Sequence, residues 1–107
     1  MSSGNASIIN GRPSADIVRF YYVYILICSD KKPYTGCTDN LKDRINKHSK
    51  GYVTSTKSRL PVKLISYFAF NNKYAAFKFE KYLKSGSGRA FLKRHLFEVP
   101  NEKSQGL

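Results

Sequence analysis

The stretch Tyr21–Gly36, YYVYILICSDKKPYTG, constrains the fold of this chain more than any other. Phe20–Cys28 is a continuous run of β-branched and aromatic residues, too short for a helix core and suited to a buried strand. Ser29-Asp30-Lys31-Lys32-Pro33 has turn chemistry, and Tyr34–Cys37 is a short second strand. The pattern predicts a β-hairpin near the start of a small domain. Side chains alternate along a strand, so Tyr22, Tyr24, Leu26 and Cys28 share one face. Tyr21, Val23, Ile25 and Ile27 share the other. Gly36 leaves room for a close backbone approach, or a kink, at the edge of the hairpin.

The rest of the chain supplies what the hairpin must pack against. Thr38 or Asp39 offers an N-cap, and Leu41 and Ile45 mark the inward stripe of a helix running to about His48. Lys50–Pro61 reads as a polar, basic loop and Val62–Phe70 as a third strand. Asn71 or Asn72 caps a second helix over about Lys73–Lys84, whose apolar arc is Ala75, Ala76, Phe79, Tyr82 and Leu83. Ser85–Gly88 breaks that helix, and a short third one follows over about Arg89–Leu96. The expected fold is α+β, a small three-stranded antiparallel sheet flanked by helices in the order ββαβα plus a C-terminal helix. Residues 1–18 read as a flexible lead-in, 19–97 as the folded domain and 98–107 as a polar tail.

Charge narrows the class of partner. The 107 residues carry a net charge of +12. From Arg44 to Phe97 there are thirteen Lys and Arg and one acidic residue, Glu80. A folded body this basic expects a polyanion, with nucleic acid the first candidate. No apolar run reaches the roughly 20 residues of a membrane span, and no clean basic amphipathic helix suggests a membrane surface. The two cysteines, Cys28 and Cys37, have neither CxxC nor zinc-site spacing. They would not face each other across the hairpin and read as reduced, which suits a cytoplasmic setting.

Several polar residues are placed to do chemistry. Arg44 and His48 stand at i and i+4 on one helix face, a pair suited to contacting phosphate or moving a proton. Glu80 lies at the edge of the second helix's apolar arc, the single carboxylate of the basic block. It could pair with Lys84 or hold a divalent cation whose other ligands are phosphate oxygens and water. Lys50–Arg59 mixes hydroxyls with cations, including Lys57 and Arg59, the residue types that contact phosphate and sugar. Ser85–Arg89, SGSGR, sets glycines before a helix start, where backbone N–H groups could receive a phosphate.

Taken in order, these residues resemble the GIY-YIG nuclease superfamily, in particular its small stand-alone bacterial members. Tyr22-Val23-Tyr24 stands at the Gly-Ile-Tyr motif and Tyr34-Thr35-Gly36 at Tyr-Ile-Gly. Arg44, His48 and Glu80 follow at the family's arginine, histidine and glutamate. Ser55–Lys57, Pro61–Leu64 and Glu80–Arg89 resemble further stretches of the stand-alone branch. The match covers about Phe20–Phe97. Tyr22 replaces the motif glycine and Thr35 the isoleucine; for the family's later asparagine the nearest residue is Ser87.

The resemblance implies hydrolysis of phosphodiester bonds, DNA first and RNA also compatible. Its implied cofactor is one Mg²⁺ or Mn²⁺ ion on Glu80. Arg44 would stabilise charge developing on the phosphoryl group. Tyr24 or Tyr34 would take the proton of the attacking water, with the other orienting water or phosphate and His48 assisting. Lys57, Arg59, Lys84, Ser87 and Arg89 would contact the nucleic acid. A phenol titrates near ~10, so the surrounding cations and the metal are expected to lower the base's pKa. The implied domain has no separate targeting module, leaving room for a protein partner. Oligomeric state stays open.

Overall fold

The computed structural model describes residues 19–97; the lead-in and the polar tail lie outside the described residues. Three strands form one antiparallel sheet: β1 (Tyr21–Ile27), β2 (Pro33–Thr38) and β3 (Lys63–Phe70), in the order β2-β1-β3. Three helices accompany them: α1 (Leu41–Ser49), α2 (Lys73–Leu83) and α3 (Gly86–Leu92). The architecture is the α+β one expected. β1 is central, which explains its unbroken apolar run: both of its faces are covered.

The two faces are covered by different elements. Val23 and Ile25 join Ala76 and Leu83 of α2 and Leu92 of α3 in the main core. Phe68, Phe70, Phe79 and Phe91 pack around it, with Phe79 set edge-on to Phe68 at 4.9 Å between ring centroids. On the opposite face Tyr24 and Leu26 are buried together with His48 of α1. Cys28 is buried, Cys37 is half-buried, and both are free; burial pushes both thiols above their ordinary pKa. They behave as small apolar residues.

Element boundaries differ from expectation where a local hydrogen bond decides them. The cap of α1 is Asn40, not Thr38 or Asp39: its Oδ1 accepts from the Asp43 N–H at 3.2 Å. Thr38 Oγ1 instead accepts from the Asn40 N–H and steadies the cap. Asn72 caps α2 through the Ala75 N–H at 3.0 Å. The Lys50–Pro61 loop contains one 3₁₀ turn, Lys57–Arg59.

The larger correction is at Ser85–Gly88. This stretch is not a spacer before a third helix but its first turn. Ser85 is the N-cap of α3, accepting from the Gly88 N–H at 3.2 Å. Of the N–H groups expected to receive a phosphate, that of Gly88 is taken by the Ser85 hydroxyl and that of Arg89 donates to the Ser85 carbonyl; those of Gly86 and Ser87 open the helix without an intrahelical acceptor. A β-carbon at Gly88 would run into the Tyr82 carbonyl and the backbone of Leu83, so α3 can lie this close to α2 only with glycine there. One turn of π-helix, Lys93–Phe97, follows α3.

Candidate active site

Three sequence-distant residues meet in a chain of hydrogen bonds beneath α1. Tyr24 Oη lies 2.7 Å from His48 Nε2, and His48 Nδ1 lies 2.7 Å from Thr56 Oγ1. Tyr24 is 1% exposed, and His48 and Thr56 are fully buried. Each placement has a local cause. Tyr24 projects from the central strand on the α1 side. His48 comes from the last turn of α1, one turn beyond Arg44. Thr56 reaches the imidazole because the loop folds back on itself, with the Thr56 and Lys57 N–H groups both donating to the Val53 carbonyl.

Gly36 fits this arrangement as a matter of space. It pairs with Tyr24 across the hairpin, and a β-carbon there would collide with the phenol ring and its hydroxyl. Tyr34, two residues earlier on the same face, brings its ring to 6.3 Å from Tyr24 and 5.2 Å from His48. Two phenols and an imidazole therefore form one aromatic cluster, with Tyr34 its half-buried member.

The electrostatics are set by burial and by Arg44. Tyr24's pKa is raised to about 12, chiefly by burial. The Arg44 guanidinium opposes that shift, while Tyr34 and the Glu80 carboxylate reinforce it. The expectation that cations would lower the phenol's pKa is therefore overturned for Tyr24 in the protein alone, because loss of hydration outweighs one guanidinium. His48's pKa is lowered, first by burial and then by Arg44. The imidazole is thus neutral at pH 7. With its proton on Nδ1, donated to Thr56 Oγ1, Nε2 is free to accept from the Tyr24 hydroxyl.

Of the other expected residues, Arg44 and Glu80 act on the charge of Tyr24, and others do not join the cluster. Arg44 makes no ion pair among the described residues, and its guanidinium bears on the Tyr24 phenol. Glu80, its side chain 22% exposed, pairs with Lys84 at 3.0 Å. Arg59 is held elsewhere: its guanidinium donates to both Asp30 carboxylate oxygens, at 2.8 and 3.3 Å, and to the Lys32 carbonyl. Together with the Ser29 N–H donating to the Arg59 carbonyl, this ties the loop to the hairpin turn. Lys57, Ser87 and Arg89 are exposed.

The fit of a divalent ion can be judged from these donors. No three of His, Cys, Asp and Glu come together among the described residues. A single half-buried carboxylate does not make a closed structural site. It does match the habit of Mg²⁺, which takes one or two carboxylates and completes its shell with water and substrate phosphate. Thr56 is the residue that reading the sequence gave no role. It falls within the resembling stretch Ser55–Lys57, but its own part emerges only when the loop closes on His48.

A surface groove of about 540 Å³, lined by Tyr22, Leu41, Ile45, Leu64 and Tyr67 among others, lies apart from this chemistry. Tyr34 instead borders a smaller cleft of about 220 Å³, with Thr35, Lys84 and Arg89.

A family model described as the GIY-YIG catalytic domain matches residues 20–94. A UPF0213 protein of Streptococcus agalactiae serotype V is 41% identical over 78 residues, 69% of this chain and 89% of that protein. One from Lactiplantibacillus plantarum is 37% identical over 91 residues, 82% of this chain and 90% of that protein. The solution NMR structure of a UPF0213 protein from Bacillus halodurans is 34% identical, covers 82% of this chain and 96% of that one, and has a TM-score of 0.48. The chain belongs to the GIY-YIG nuclease-domain family, alongside the small UPF0213 proteins.

Proposed function

We propose that this protein is a metal-dependent endonuclease that hydrolyses phosphodiester bonds, in DNA first. The observation that carries this reading is the buried Thr56–His48–Tyr24 chain, which gives a phenol a neutral imidazole to pass a proton to. Tyr24 takes a proton from the attacking water as its own proton moves to His48 Nε2. In the tautomer with Nδ1–H donating to Thr56 Oγ1, Nε2 accepts that proton. A phenol titrating at about 12 is poorly ionised at pH 7, so this concerted handover replaces a standing phenolate. Burial and Arg44 oppose a resting charge on His48, which keeps the imidazole ready to accept.

The remaining roles follow from placement. Tyr34, half-buried beside Tyr24, orients water or phosphate. Arg44 stabilises charge on the phosphoryl oxygens through its planar donors. Glu80 would hold the ion, after release from Lys84; a divalent ion there supplies charge neutralisation at the non-bridging and leaving oxygens. Lys84, set free, is then a phosphate contact.

A second reading, nucleic-acid binding without turnover, is favoured by one observation: Tyr24 is almost sealed from solvent. A cleavage assay separates the two. End-labelled single-stranded, duplex, flap and junction DNAs, with matching RNAs, are incubated with Mg²⁺ or Mn²⁺, with an EDTA control. The endonuclease reading predicts metal-dependent cuts that vanish in Glu80→Ala while binding is kept or tightened, because a negative charge is removed. Salt-sensitive binding with no cut on any substrate would establish the second reading instead.

A further inference from the structure

The small cleft beside Tyr34 does not end there. It shares Pro33, Arg89 and Leu92 with a second cleft of about 380 Å³ that continues beneath the hairpin turn. The continuation has an apolar floor that includes Ile27 and Phe97, and cations on its walls, Lys31 and Lys93. Among the described residues no carboxylate lines either cleft. Lys31 stands in the left-handed region at φ 67°, in a turn closed by its N–H donating to the Cys28 carbonyl. The two clefts thus make one trough along the free edge of β2, from the candidate active site to the end of the hairpin.

We infer that this trough binds a single-stranded stretch of the nucleic-acid substrate, adjoining the phosphate at the active site. The inference rests on the endonuclease reading for its purpose, but its physical basis is separate. A base-paired duplex shows a protein mainly phosphates and groove edges, and an apolar floor gains nothing from them. An unpaired strand offers both phosphates and base faces. Apolar and aromatic floors beside cations are how sequence-tolerant single-strand sites are built. The trough has that composition, and its continuity with Tyr34 sets the bound strand next to the scissile bond.

The test uses the full chain and the double variant Lys31→Glu/Lys93→Glu. Both positions are exposed, and neither belongs to the proposed chemistry. Binding of a blunt duplex and of the same duplex with an unpaired flank is followed by fluorescence anisotropy across a salt series, with EDTA present so that nothing is cut. Thermal melting checks that the variant is folded. The expected result is tighter wild-type binding of the flanked duplex. In the variant that binding weakens at least tenfold, and its log–log salt slope shrinks by about 1.4, the value for two lost contacts to a single strand. Blunt-duplex binding changes much less. Equal losses on the two DNAs, or unchanged binding of the flanked one, would overturn the trough. Because the readout is binding, the trough can stand even if the cleavage assay finds no cuts, and it can fail while cutting persists.

Discussion

At the scale of single residues, the site is organised around what Tyr24 touches. Gly36→Ala puts a methyl group where the phenol lies. The variant is expected to lose about 1–3 kcal/mol of stability in urea unfolding. It should also lose cleavage, because a displaced hydroxyl cannot keep its 2.7 Å bond to His48. His48 makes a second prediction with a defined sign. Its pKa is lowered in the folded state, so between the ordinary value of 6.5 and that lower value the unfolded chain binds more protons. Stability therefore falls as pH drops below about 6.5. Urea unfolding at pH 7.5 and at pH 5 should show that loss in the wild type and a smaller one in His48→Gln. Equal pH dependence in the two proteins would mean that His48 is not the group responsible. Tyr24, Tyr34, Arg44, His48 and Glu80 could be named as candidates from the sequence because motif order marks them. Thr56 could not, since its role exists only once the loop has closed. Nor could the direction of Tyr24's shift be read: the charges could be counted, but the depth of burial could not.

At the scale of elements, periodicity did most of the work. The alternation of β1 assigned Val23 and Ile25 to one core and Tyr24 to the other face, as the register bears out. What the sequence hid was any boundary set by one short hydrogen bond. Asn40 and Ser85 are caps because their side-chain oxygens reach an N–H three residues on, and neighbouring Thr38 and Asp39 have equally good capping chemistry. SGSG looked like a breaker because glycine is a poor helix former. Packing overrides that propensity, since close approach of α3 to α2 needs Gly88. Gly88→Ala is accordingly expected to destabilise the protein by about 1–3 kcal/mol even though alanine favours helix. Gly86→Ala meets nothing within 4 Å and should be neutral or stabilising. Thermal unfolding of the pair side by side checks this. A Gly88→Ala variant as stable as Gly86→Ala would mean that α3 has another way to pack.

At the scale of the whole molecule, one sheet serves two purposes. The face under α2 and α3 holds the main hydrophobic core. The face under α1 carries a polar, buried chain that contributes less to stability than an apolar core would. Arg44 and Glu80 act on the charge of the Tyr24 phenol in opposite senses. The net charge of +12 suits a polyanionic partner. The central claim is that Tyr24 takes the proton, and single-turnover cleavage tests it most directly. Rates of wild type, Tyr24→Phe and Tyr34→Phe are compared at saturating protein on the best substrate of the panel, with binding measured separately. Tyr24→Phe should cut roughly 10²- to 10⁴-fold more slowly with binding unchanged, the usual loss for a general base. Tyr34→Phe should lose less. Cleavage by Tyr24→Phe at the wild-type rate would contradict the account.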